Sequence, residues 1–328
     1  MMLNSNHKPI GGEQEIAHDG LFYGTTNSGR SSLRWVLLSM GLQGKRVLVP
    51  DFVCQVVVDV LHEYKIHVDF YNVKENFEFS LPECLDDYDA LYIVKYFGHE
   101  SATFKRAVNN STLPLIIDCV FDVQLPEINT PAHWCYFNSL RKITVVADFS
   151  QIVSNKPLFI INKVRISSFS EKKYQAKEAK YKFLHSSQGR EATYLKYFSN
   201  AESIIDENKN IFESEDRSIY LMGCFYSFFK EDLKIRLQNL TFATTILSDI
   251  HFINITPTFP SFLPLLLNKR DEVRRELMRD SIYLAIHWPA IEQSKNHLSD
   301  KLLSLPLDSR YTKEDIERMC NIIKRVEK

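Results

Sequence analysis

The chain has 328 residues, 45% of them hydrophobic and 25% charged, which excludes a disordered chain and allows a large core or two domains. Forty basic side chains against 41 acidic ones leave a formal net charge of −1, which excludes an overall electrostatic footprint for nucleic acid. No run reaches the roughly 18–20 apolar residues that cross a bilayer. The polar start, with Asn4, Asn6, His7, Lys8, Glu13 and Glu15, lacks the apolar core of a signal peptide. A cytoplasmic protein with no nucleic-acid or membrane partner is therefore expected. Six scattered cysteines without Cys-x-x-Cys spacing fit reduced thiols better than a disulfide frame or a zinc site.

Residues 1–24 read as an N-terminal arm. From Arg46 onward, short apolar runs alternate with helical patterns: Arg46 to Val49, a helix over Val53 to Tyr64, then Val68 to Tyr71. Further runs lie at Ala90 to Tyr96, Leu113 to Val120, Trp134 to Leu140 and Leu158 to Ile161. Such runs predict an α/β domain with a mostly parallel sheet sandwiched by helices. Charge-rich segments such as Glu171 to Lys182 and Glu231 to Leu247 have apolar spacing that suits helices. Strand candidates at His251 to Ile255 and Phe262 to Leu267 follow, then helices over Arg270 to Ser281 and Thr312 to Val326. The division is a large α/β domain over 25–245 and a small C-terminal α+β domain over 246–328.

Chemistry concentrates in a few places. Asn27-Ser28-Gly29-Arg30-Ser31-Ser32 precedes a helical pattern and offers backbone amides, hydroxyls and a guanidinium to a phosphate; a plain N-cap is the alternative. Asp118 ends one apolar run, and Lys142 follows another 24 positions later. A buried carboxylate that keeps a pyridine nitrogen protonated, with a lysine that forms a Schiff base, is the minimum equipment for pyridoxal-phosphate chemistry. Ser139, three positions before the lysine, is placed to help hold the phosphate. Read singly, Asp118 caps a loop and Lys142 is a solvated surface lysine. Cys54 near a helix start is a low-pKa thiol or, more simply, a buried structural cysteine. His133 and Cys135 share a strand face but have no further ligands at metal spacing, so packing is favoured and no metal is expected. His287-Trp288-Pro289 lines a domain junction or belongs to the core.

In order along the chain, these motifs resemble the DegT/DnrJ/EryC1/StrS sugar aminotransferases, which are fold type I pyridoxal-phosphate enzymes. The residues that carry the resemblance are Ser28-Gly29-Arg30-Ser31, Val47 to Phe52, Tyr96-Phe97-Gly98, Asp118, Ser139 with Lys142, Asn268 to Glu272 through His287-Trp288-Pro289, and Leu305-Pro306-Leu307. The stretch from about 165 to 245 matches poorly. The resemblance implies a homodimer with shared active sites, a nucleotide-linked keto-sugar as acceptor and an amino acid, usually glutamate, as donor, in surface polysaccharide or glycoside biosynthesis. It makes Lys142 the Schiff-base lysine and Asp118 the pyridine partner. Gly29, Arg30, Ser31 and Ser139 become the phosphate cradle, and Cys54 stands where an aromatic ring often stacks on the pyridine. Phe121 replaces the family's usual Gln or His, and Asp148-Phe149-Ser150 stands where Gly-Gly is usual. These departures keep open a second reading, a catalytically degenerate relative that serves as a sugar-nucleotide binding or partner subunit.

Overall fold

Strands that are apolar on both faces must be covered on both faces. In the computed structural model, which describes residues 11–186, 188–294 and 296–328, they form one eight-stranded sheet flanked by helices. Residues 1–10 of the expected arm lie outside the described residues. In chain order the first half runs β1 (Phe22–Thr26), α1 (Gly29–Ser39), β2 (Arg46–Pro50), α2 (Gln55–Glu63), β3 (His67–Val73), β4 (Phe79–Ser80), β5 (Ala90–Val94), α3 (Ala102–Asn110), β6 (Leu115–Asp118), β7 (Trp134–Phe137) and β8 (Ser150–Ser154). The sheet order is β1-β8-β7-β6-β5-β2-β3-β4. The five strands β3, β2, β5, β6 and β7 run parallel, whereas β8 is antiparallel to both β7 and β1, and β4 to β3. Every residue of β5, β6 and β7 is buried.

The second half is helical, then mixed: α4 (Ser167–Ser186), α5 (Glu191–Asp206), α6 (Asp216–Ser227), α7 (Phe229–Ile246), β9 (Phe262–Leu266), α8 (Arg270–Arg279), α9 (Leu298–Lys301), β10 (Leu302–Pro306) and α10 (Lys313–Glu327). Helices α4 and α5 form a hairpin with a small core of Phe169, Ala201 and Ile205. The antiparallel pair β9–β10 supports a separate core that draws Leu263, Leu265 and Leu305 against Val273, Leu277, Ile316 and Ile323. Trp288, Ile291 and Leu298 instead join the core of the large sheet.

Two expected strands are absent. Leu158 to Ile161 has no ladder: the Trp35 indole donates to the Phe159 carbonyl at 2.8 Å, Ser39 Oγ accepts from the Phe159 amide at 3.0 Å, and Ile160 is 92% exposed. Side chains of α1 satisfy this backbone, and the place beside β7 goes to β8. His251 to Ile255 makes only an isolated bridge, Phe252 to Leu265: the Ile253 amide donates to the Pro264 carbonyl, but Pro264 has no N–H to return the bond and extend the ladder.

Candidate active site

Parallel α/β sheets leave a crevice beyond the carboxyl ends of their strands. Asp118 is the last residue of β6, and Lys142 sits in a 3-10 turn, Leu140–Lys142, just after β7. From the helix side, Gly29 starts α1, capped by the Ser28 hydroxyl on the Ser31 amide, and Cys54 is the N-cap residue of α2. His287 and Trp288 close the space from the C-terminal segment. These residues, with Arg30, Phe121, Phe137, Ser139 and Arg141, line an enclosed cavity of about 90 Å³.

The cavity holds three polar groups of distinct character. Asp118 is fully buried, accepting from the Tyr92 hydroxyl at 2.6 Å and from the Val120 amide at 3.0 Å. Burial raises its pKa to about 6, against the lowering pull of the Tyr92 bond, Lys142 and the Val120 amide. The Ser139 hydroxyl is buried without a hydrogen-bond partner. Lys142 is exposed at the rim, with its ammonium 5.3 Å from the centroid of the Phe121 ring and no ion pair among the described residues.

Of the other expected residues, Gly29 forms the wall opposite Ser139: a Cβ there would lie 3.5 Å from Ser139 Cβ and narrow the gap. Arg30 lines the cavity, but its guanidinium is engaged by Asp206 and by Glu202. Ser31 is turned away from the expected phosphate role. Its hydroxyl donates to Asn27 Oδ1 at 2.8 Å and accepts from the Phe212 amide at 3.2 Å, which ties α1 to the segment after α5. Cys54 lines the cavity, and burial raises its thiol pKa against the pull of Lys142, so the low-pKa alternative does not hold. His133 and Cys135 lie 3.8 Å apart, and no metal-holding cluster occurs among the described residues.

The sequence reading missed Tyr92, and it singled out His287 and Trp288 without their contacts. Tyr92 orients Asp118 from one strand over, a relation that no local motif encodes. His287 bonds Ser304 at 2.8 Å through Nδ1 and packs 4.6 Å from the Phe121 ring; burial and then Lys142 push its pKa down to about 3, so it is neutral near pH 7. Trp288 presses its edge on Phe97 at 4.9 Å, and both residues hold left-handed backbone, φ 50° and 53°. Such conformations cost of order 1–3 kcal/mol each and persist only where packing imposes them.

Beside the enclosed cavity lies a wider pocket of about 420 Å³. It shares Arg30, Phe121, Arg141, Lys142 and His287, and adds Ala147, Lys173, Lys177, Phe198 and Glu202. The Lys-x-x-x-Lys spacing on α4 was visible in the sequence as one helix face. Its neighbours were not.

No protein-family model matches the chain, and no curated protein matches it. Solved structures do. PseC of Helicobacter pylori, an aminotransferase involved in pseudoaminic acid biosynthesis, superposes with a TM-score of 0.65 at 12% identity, over 93% of this chain and 86% of PseC. S. venezuelae DesV, solved with a ketimine intermediate, gives 0.63 at 12%, over 92% and 84%. A DegT DnrJ EryC1 StrS aminotransferase from Brucella abortus gives 0.60 at 12%, over 93% and 86%. At such identities the likeness speaks for architecture, and the chain has the fold of the pyridoxal-phosphate-dependent DegT/DnrJ/EryC1/StrS sugar aminotransferases.

Proposed function

We propose that the chain is a pyridoxal-phosphate-dependent aminotransferase that converts a nucleotide-linked keto-sugar to an amino-sugar with an amino acid, glutamate by preference, as donor. The observation that carries this reading is the meeting of Asp118, Ser139 and Lys142 in one cavity. The donor set fits the cofactor: a dry carboxylate with a raised pKa, an unpartnered buried hydroxyl beside a helix start, and an amine without an ion pair. Asp118 would face the ring nitrogen, Ser139 and the backbone at Gly29 the phosphate, and Lys142 the aldehyde carbon. When bound, the cofactor supplies a ring that takes up the electron pair of a carbanion.

The chain's own residues do the rest. Asp118, held by Tyr92 and Val120, fixes a proton on the ring-nitrogen side of the cavity. Lys142 Nζ, steadied over the Phe121 ring, takes the proton that leaves the donor's α-carbon in the first half of the reaction and gives one to the acceptor's carbonyl carbon in the second. Trp288 and neutral His287 exclude water on the small-domain side. A homodimer, cytoplasmic location, a role in surface polysaccharide or glycoside synthesis and the division at 1–24, 25–245 and 246–328 belong to the same proposal. DesI, another solved structure of this fold, was crystallised with its TDP-sugar product, which supports a nucleotide-sugar acceptor here.

One observation favours the degenerate reading: at about 90 Å³ the enclosed cavity is tight, walled by Phe121 and Cys54, whereas ligand pockets usually run ~300–1,000 Å³. The near-visible absorption spectrum with added pyridoxal phosphate, before and after borohydride, decides between the two. A band whose reduced adduct maps by peptide mass to Lys142 supports the enzyme. No band and no adduct at saturating cofactor supports the binding subunit.

A further inference from the structure

The wider pocket carries a charge imbalance that the cofactor reading does not use. Five cations line it, Arg30, Arg141, Lys142, Lys173 and Lys177, against one lining carboxylate, Glu202; Arg30 is also paired with Asp206 outside the lining, so the cations still outnumber the acids. Glu202 is already taken. Arg141 donates to it through both terminal nitrogens, at 2.9 and 3.5 Å, Lys173 pairs with it, and the Arg30 guanidinium stands 4.0 Å away. Burial works to raise the Glu202 pKa, yet Arg141 and Lys173 hold it at about 2. Lys177, one turn beyond Lys173 on α4, has no hydrogen bond or ion pair among the described residues.

Cations drawn partly out of water without matching anions are costly unless a ligand completes them. The groups that face Lys177 are Lys173 and Lys180 on its own helix, Arg141 in the turn after β7, and Arg310 after β10, which is bound to Asp308. Glu202 on α5 is the nearest acid in the pocket lining. Burial first, and then these positive neighbours, lower the Lys177 pKa to about 7. The negative charge of an arriving anion opposes the shift and draws a proton onto Lys177.

We propose that the pocket beside Lys142 binds the phosphate of a ligand other than the cofactor, on Arg141, Lys173 and Lys177. All three cations come from this chain, two of them from the α4–α5 hairpin, the region with least resemblance to the sugar aminotransferases. Phosphate dianions suit the site: the unpaired Lys177 ammonium stands beside Arg141 and Lys173, which share the single charge of Glu202, and the volume of about 420 Å³ accommodates a phosphorylated molecule of sugar size. Resting on the aminotransferase reading, a further step follows: the acceptor's phosphate anchors here and brings its carbonyl to Lys142.

The test is calorimetric titration of cofactor-loaded protein with inorganic pyrophosphate, a sugar monophosphate and a nucleoside diphosphate, at pH 6.5 and 8.5. Saturable binding is expected, at least tenfold weaker at pH 8.5, with proton uptake revealed by buffers of different ionisation enthalpy. Lys177→Met should weaken binding at least tenfold, and Lys177→Arg should restore it and remove the pH dependence. No saturable binding, or binding indifferent to Lys177→Met, overturns the proposal. Preference for the sugar monophosphate or for the nucleoside diphosphate identifies the source of the phosphate. The absorption band of bound cofactor is recorded on every sample, so loss of the band with pyrophosphate still bound refutes the cofactor reading alone, and the reverse refutes the anion site alone.

Discussion

The enclosed cavity and the wider pocket share five residues and are built on opposite physics. The first is set by strand ends: its polar groups are few, Asp118 is held by one hydroxyl and one amide, and burial pushes it toward its neutral form. The second is set where the α4–α5 hairpin meets the turn after β7, and opposite charges keep Glu202 ionised despite burial. Two carboxylates in adjoining spaces are thus driven in opposite directions, one by desolvation and one by cations. A site divided in this way sets a desolvated carboxylate next to a charged anchor.

Lys142→Ala should break the first half of the comparison outright. Borohydride-trapped cofactor is expected to vanish while the melting temperature of the apo protein stays within a few degrees, because the side chain is exposed. An unchanged reducible band in this variant removes Lys142 from its role.

Asp118→Ala should come next, leaving the buried Tyr92 hydroxyl and Val120 amide unpaired at about 1–3 kcal/mol each. Urea denaturation of the apo protein checks this. The pH dependence has a definite sign. The folded pKa lies above the unfolded value of 3.8, so the native state favours the protonated acid. Its cost is therefore absent below pH 3.8 and grows as pH rises toward about 6, reaching roughly 2–3 kcal/mol. Against wild type, Asp118→Asn should gain relative stability between pH 4 and 7; a flat difference refutes the raised pKa.

Glu202→Gln probes the other region, and its sign is opposite. The folded pKa of about 2 lies below the unfolded 4.5, so the stabilisation is present above pH 4.5 and is lost as pH falls toward 2. With a third of the side chain in solvent, about 1–2 kcal/mol is expected at pH 7 after screening. Equal stability of the variant and wild type at pH 7 would mean that the Arg141 and Lys173 pairs hold the hairpin no better than a neutral amide.

The smallest effect concerns Cys54, whose thiol burial raises. Alkylation by iodoacetamide at pH 8 should be several-fold slower than at exposed Cys84, and mass mapping of the two peptides reads the ratio. Faster reaction at Cys54 would reveal activation by Lys142 that outweighs desolvation.

Legibility in the sequence followed locality. The runs at Arg46, Ala90, Leu113 and Trp134 declared strands because each is apolar on both faces, and the Asp118 and Lys142 pair was visible through order and spacing alone. Leu158 to Ile161 misled because side chains of α1, distant in sequence, take up its backbone groups. Ser31 misled for a related reason, its hydroxyl being claimed by Asn27 and Phe212. The positive pocket was not legible beyond the lysine spacing on α4: Arg141 and Lys173 lie 32 positions apart, and Glu202 joins them only when the hairpin packs against the turn after β7.

By itself the sequence determined the sheet-forming runs, the amphipathic helices and the places of Asp118 at the end of β6 and Lys142 beyond β7, since these follow from periodicity and from side chains near in the chain. The tertiary structure alone decided which strand stands beside β7, that Tyr92 holds Asp118, and that one carboxylate answers several cations. Those outcomes depend on which distant groups are brought out of water together, and desolvation and Coulomb energies are set by distance in space rather than by separation along the chain.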